Sequence, residues 1–181
     1  AALGYLGGTA AAVDNDNADS PSPRAKIGVH NRLLEAFSLF QEAEYDKAEE
    51  LLLELLAGGE GAIVHKTLAG VYAETGDEDR AIQHLEEALQ IYDRLLDAHF
   101  MLGQLLARRG EHEEAAREYL LELEMAPTHA SANLRLAEAY RNLGDTRREE
   151  QSLRRALELD PDLAEASLHL ARIHLQRGER Y

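Results

Sequence analysis

Eight histidines and 34 carboxylates are the side chains of this 181-residue chain that could do chemistry, and two kinds of chemistry are open to them. Imidazoles and carboxylates can ligate a metal, or they can pass protons as a general acid and base. Two histidines four residues apart would put both rings on one helical face, but "HEEAA" at His112 lacks the second. His65 and His99 are instead 34 residues apart, which predicts equivalent, partly exposed places on a repeated scaffold. Acidic neighbours such as Glu113 and Glu114 read as solvated helix faces. "GYLGG" precedes no helix with a lysine in place, so it makes no phosphate loop. There is no cysteine, which removes disulfides, thiolate catalysis and thiolate-bound metals. No nucleophile is paired with a base. The residues therefore predict a non-enzyme with no catalytic residue, metal site or cofactor.

The elements that must carry these side chains are legible from a period. "GDEDRAIQHLEEAL" begins at Gly76 and "GEHEEAAREYLLEL" at Gly110; the same 34-residue step reaches Gly144 and Gly178. Between the glycines, Leu68, Val71 and Tyr72, and then Leu102, Leu105 and Leu106, fall at i, i+3 and i+4, one face of a helix. The glycine ends that helix, and the next one turns Ala81, Leu85 and Ala88 inward. Neither helix hides its apolar face alone. Stacked hairpins do, which is the logic of a solenoid. Leu68, Leu102, Leu136 and Leu170 hold one core slot; Ala69, Gly103, Ala137 and Ala171 hold the small-residue slot beside it. Pro127 and Pro161 stop the second helix.

This set resembles the tetratricopeptide repeat family: leucine then a small residue, a tyrosine, a glycine turn, an alanine and a closing proline, as in "TLAGVYAETGDEDRAIQHLEEAL" and "RLAEAYRNLGD…RRALELDP". The resemblance implies an all-α fold, a right-handed superhelix of antiparallel helix pairs with about four and a half repeats. It divides the chain into an arm over 1–26, mostly non-helical and rich in turn-forming residues, and a solenoid over 27–181 with repeats near 29–61, 62–95, 96–129, 130–163 and a half repeat over 164–181. Three departures stand out. Ala43 replaces the turn glycine of the first unit. Glu122 and Glu149 take places where an alanine should touch a partner helix, so each is expected to snorkel or to pair, with Arg147, Arg148 or Arg154 at hand. "IYDRLL" lacks the proline, so the helix before it is expected to run on.

The family uses its first helices to line a concave groove for a peptide or helix of another protein. Carried over helix by helix, that implies a groove of Leu33, Phe37 and Phe40, then Lys66, then Phe100, Gln104 and Arg108, then Leu134 and Arg141, and finally Leu168 and Arg172. Phe37 and Leu134 have a plainer alternative, packing between adjacent first helices. The same first helices bring Glu74, Asp97, Glu138 and Glu165 to the groove, so that its charges, with Lys66, Arg108, Arg141 and Arg172, sum to zero in a chain of net charge −15. Places where chaperone-binding members clamp a terminal carboxylate carry Leu33, Phe37, Lys66 and Gly70, so that clamp is not expected. The net charge opposes nucleic acid as a partner. No apolar run approaches the roughly 18 residues of a membrane span.

A second use of the surface is self-assembly. The half repeat exposes the face that a second helix would cover, through Leu170, Ile173 and His174, and an arm carrying Leu3, Tyr5 and Leu6 could cover it on a neighbour. Head-to-tail contact of that kind gives a homo-oligomer or a filament. "ALGYLGG" followed by "KIGVHNRLLEAF" also resembles the junction of exported bacterial sulfatase-like proteins that carry tetratricopeptide repeats after the catalytic domain. It implies a bacterial, exported chain, a non-catalytic tail or a stand-alone relative. The first residue, Ala1, is expected of a processed chain or a fragment.

Overall fold

A computed structural model describes residues 23–59 and 61–178. Among them are nine helices: α1 (Pro23–Gln41), α2 (Tyr45–Ala57), α3 (Ala62–Thr75), α4 (Glu78–Ile91), α5 (Ala98–Arg108), α6 (His112–Met125), α7 (Ala130–Asn142), α8 (Thr146–Leu159) and α9 (Ala164–Gln176). They pair as hairpins α1/α2, α3/α4, α5/α6 and α7/α8, and each second helix packs on the next first helix up to α9. First helices also meet first helices, α1 with α3 and α5 with α7, and this makes an inner surface. The fold is the all-α solenoid that the period implies. No described helix is long and apolar enough to cross a membrane. The arm residues Leu3, Tyr5 and Leu6 lie outside the described residues.

The core slots are filled as their spacing requires. Leu68, Leu102 and Leu136 are buried, and so are Ala69, Ala137, Ala81 and Ala115. Gly103 holds its slot for a specific reason: a Cβ there would sit 2.7 Å from the ring of Tyr119. Tyr119 is itself almost wholly buried, where neighbouring repeats place Leu85 and Leu153. The third repeat thus trades a larger residue on one helix for a smaller one on its partner, and holds the volume of the slot.

The hairpin turns share one backbone geometry. Gly76, Gly110 and Gly144 have φ of 86°, 81° and 76°, and Ala43, with φ 58°, takes the same left-handed conformation without the freedom of a glycine. In all four turns the amide of the following residue bonds back five positions: Glu44 to Leu39, Asp77 to Tyr72, Glu111 to Leu106 and Asp145 to Tyr140, at 2.8–2.9 Å.

Two expectations are corrected: the run-on of the helix before Tyr92, and the arginines named as partners of Glu122 and Glu149. α4 does not run on: it stops at Ile91, the same register as Met125 and Leu159, although no proline follows. Tertiary anchors do the work of the proline. Leu95 is buried, Lys66 Nζ donates to the Leu96 carbonyl at 2.9 Å, and His99 Nε2 lies 3.1 Å from the Asp93 carbonyl. The amides of Asp97 and Phe100 donate to Glu122 at 3.2 and 3.4 Å. That last contact also explains the buried Glu122: its carboxylate caps α5, satisfying amides at the positive end of the helix dipole, with His129 Nδ1 at 3.6 Å. Glu149 pairs across the repeat boundary with Arg172 at 3.0 Å, while Arg148 and Arg154 are engaged by Asp145 and Glu150.

Candidate functional site

The inner surface holds an open cavity of about 580 Å³, spanning α1, α3, α5, α6 and α7. One end is apolar. Phe40 lies over Gly70, where a Cβ would be 3.7 Å from its ring, and Met101 completes the wall. The other end is charged, with Arg108, Arg135 and Arg141 against Glu74 and Glu138 on the lining, a positive balance inside an acidic protein.

The three arginines are not equivalent. Arg108 is neutralised by Glu78 at 2.9 Å, and Arg135 by Glu138 at 2.7 Å with Glu165 at 3.7 Å. The Arg141 guanidinium meets only an imidazole: its Nη1 stands 3.1 Å from His169 Nε2 and 3.4 Å from Nδ1, with no carboxylate in ion-pair reach among the described residues. Burial first, then the charges of Arg141 and Arg172, hold the His169 pKa below its ordinary value, which favours the neutral ring. At the floor, burial pushes the Tyr119 phenol up. His112 Nδ1 is shut off from solvent with no hydrogen-bond partner among the described residues.

The sequence-derived candidates are distributed as follows. Phe40, Gln104, Arg108 and Arg141 line the cavity. Lys66 is tied to the α4–α5 loop. Phe100 is half-buried between Tyr119 and His129, with ring centroids 5.9 and 4.7 Å away. Leu134 is buried in the core, and Arg172, outside the cavity lining, pairs with Glu149. Leu33 packs against the first core cluster; Phe37 and Leu168 are exposed on their helices, outside the lining. At the last helix, Ile173 and Leu170 pack on the α7–α8 core, His174 is half-buried, and Leu168 and Leu175 carry the exposed apolar surface instead. Met101, His112, Tyr119 and Arg135 were not foreseen. His112 and Tyr119 come from a second helix, which a rule restricted to first helices passes over.

The histidine spacing hides a second constellation. His65 of α3 and His84 of α4 bring their Nδ1 atoms to 2.9 Å, and Glu87 Oε2 lies 2.9 Å from the first and 3.1 Å from the second. Such a set, 19 and 22 residues apart, crosses the hairpin and is invisible to a search along one helix.

The sequence pattern of the tetratricopeptide repeat matches residues 33–95, 96–130 and 130–163. No curated protein matches the chain. Among solved structures, MamA (residues 41 to the end) from Desulfovibrio magneticus RS-1 superposes with a TM-score of 0.76 at 18% identity, covering 88% of this chain and 89% of that one. A further crystal structure of MamA gives 0.74 at 16% identity, with 79% and 84% covered. YrrB, described as a TPR protein with an unusual peptide-binding site, gives 0.68 at 22% identity, with 76% and 71% covered. At these identities the likeness is one of fold.

Proposed function

Because this chain belongs to the tetratricopeptide repeat family, whose fold serves as a protein-interaction scaffold, we propose that its inner cavity captures a partner segment carrying an apolar anchor beside a carboxylate. The observation that carries this reading is Arg141, a lining guanidinium whose side-chain partner is a neutral imidazole. A carboxylate arriving there gains a charge-assisted bond and displaces no ion pair, in contrast to Arg108 and Arg135. Phe40, Met101 and Gly70 supply the apolar half. A named peptide-binding site in YrrB, on the same fold, supports the choice of a peptide.

The test is selection from a random peptide phage library on the 181-residue chain, followed by affinity measurement on the enriched peptides. Enrichment of an aromatic or aliphatic residue near Asp or Glu is expected, with binding at least about tenfold weaker to Arg141→Ala, the loss of one charged hydrogen bond. Equal affinity for the parent, Arg141→Ala and Phe40→Ala would place the binding surface elsewhere.

A second reading is head-to-tail assembly. It is supported by Leu168 and Leu175, 69% and 75% exposed on α9. Sedimentation at two concentrations, with and without residues 1–8, separates it from monomeric groove binding.

A further inference from the structure

Three groups of side chains among the described residues bring potential metal-ligating atoms together, and they differ in what already occupies those atoms. In Asp97, Glu122 and His129, the carboxylate of Glu122 is taken by the two amides it caps. In Glu138, Glu165 and His169, the guanidinium of Arg135 is already the cation, and Arg141 covers the ring. In His65, His84 and Glu87 no lysine, arginine or backbone amide among the described residues claims the three converging atoms. Arg80, the nearby cation, is engaged by Asp77 at 3.1 Å and Glu49 at 3.6 Å and lies over the Tyr72 ring.

The geometry of this third group has no satisfactory proton arrangement. Its three sides measure 2.9, 2.9 and 3.1 Å. Each Nδ1 holds at most one proton, aimed along one direction in the ring plane, so at least one of the three contacts sets lone pair against lone pair or proton against proton. One cation in the middle satisfies all three atoms. A transition cation about 2.1 Å from each of three ligands separates them by roughly 3.0 Å on an octahedral face and about 3.4 Å in a tetrahedron.

The surroundings hold the ligands in place, as outer partners do at metal sites. The His84 ring stacks on Tyr72 at 5.4 Å and 11°, and the Tyr72 hydroxyl donates to Glu49 at 2.7 Å. Gln83 donates to Glu87 Oε1 at 2.9 Å, leaving Oε2 for the centre. The two histidine side chains are 15% exposed and that of Glu87 34%, so a remaining coordination position opens to water. The next repeat is a built-in comparison. At the same register His99 meets Glu118 at 2.7 Å, an ordinary imidazole–carboxylate pair, and Leu121 stands where Glu87 would be. Only the second repeat exchanges that acceptor for another imidazole and adds a carboxylate.

We propose that His65 Nδ1, His84 Nδ1 and Glu87 Oε2 bind one first-row divalent transition cation, with zinc as the representative, in a water-open site that ties α3 to α4. Two imidazoles with one carboxylate select this class over calcium or magnesium, which prefer all-oxygen sets. The site lies outside the groove lining and stands or falls separately from the peptide reading.

Equilibrium dialysis of the 181-residue chain against zinc, with the visible absorption of cobalt(II) as a second probe, tests the proposal. One zinc per chain is expected, with affinity at least about tenfold lower in His65→Asn, His84→Asn and Glu87→Gln, and unchanged in His99→Asn. The cobalt band should vanish in the same three variants. Zinc should also raise the unfolding temperature of the parent and of His99→Asn only. Glu87→Gln, the most exposed substitution, decides the matter if a histidine variant does not fold. Absence of zinc binding, equal binding by parent and variants, or an equal loss in His99→Asn would overturn the assignment.

Discussion

At the scale of single residues, the molecule is governed by compensation. Gly103 is small because Tyr119 is large, and the pair sits where neighbouring repeats hold Ala69 with Leu85 and Ala137 with Leu153. Gly103→Ala should therefore destabilise the protein by about 1–3 kcal/mol, the cost of overpacking, although alanine is the better helix former. Gly103→Ala with Tyr119→Leu recreates the pair of the adjacent repeats. The double variant should recover more stability than the sum of the single changes predicts, and a denaturant double-mutant cycle measures it. A simple sum would show that the ring does not block the slot. His169 offers a pH test. Its folded pKa is depressed below 6.5, chiefly by burial, with Arg141 and Arg172 lowering it further and Glu138 and Glu165 opposing. The unfolded chain thus binds the proton more readily, and stability must fall as pH drops through and below about 6.5. His169→Gln should flatten that part of the stability–pH curve; an unchanged slope would assign the effect to other groups.

At the scale of elements, the turns show how one motif is met with unequal means. Ala43 adopts a positive φ that glycine accepts without strain, so Ala43→Gly should stabilise the first hairpin by up to about 1 kcal/mol, the relief of left-handed strain less the added chain entropy. Chemical denaturation checks this, and a loss of stability would mean that the Ala43 methyl group contributes more than its backbone costs. The turn positions, core slots and proline stops were legible because each obeys local rules repeated at a fixed spacing. The end of α4 was not, since it depends on Lys66, His99 and Glu122, which come from three other helices. Nor could local pattern show that Glu122 would cap α5, or that His84 would meet His65 across a hairpin. The groove was half legible: Phe40, Gln104, Arg108 and Arg141 follow from the family's use of its first helices, whereas His112 and Tyr119 reach it from a second helix.

At the scale of the whole molecule, the core is a line of contacts rather than a ball, and stability should vary along it. α7 buries seven residues between its neighbours; α9 buries two, Ala166 and Ile173. Amides of α9 should exchange with solvent at a lower opening free energy than those of α7, read by native-state hydrogen exchange. Equal protection would show that something further covers α9. The paired choice of Gly103 and Tyr119 has a consequence for ancestry. Both belong to one hairpin, so a duplication or unequal crossover that copies the whole hairpin carries the matched pair with it. A crossover at the glycine turn would join an alanine helix to a tyrosine helix, or a glycine helix to a leucine helix, and leave a clash or a void. The smallest unit that can be copied here without a clash or a void at this slot is therefore the whole hairpin.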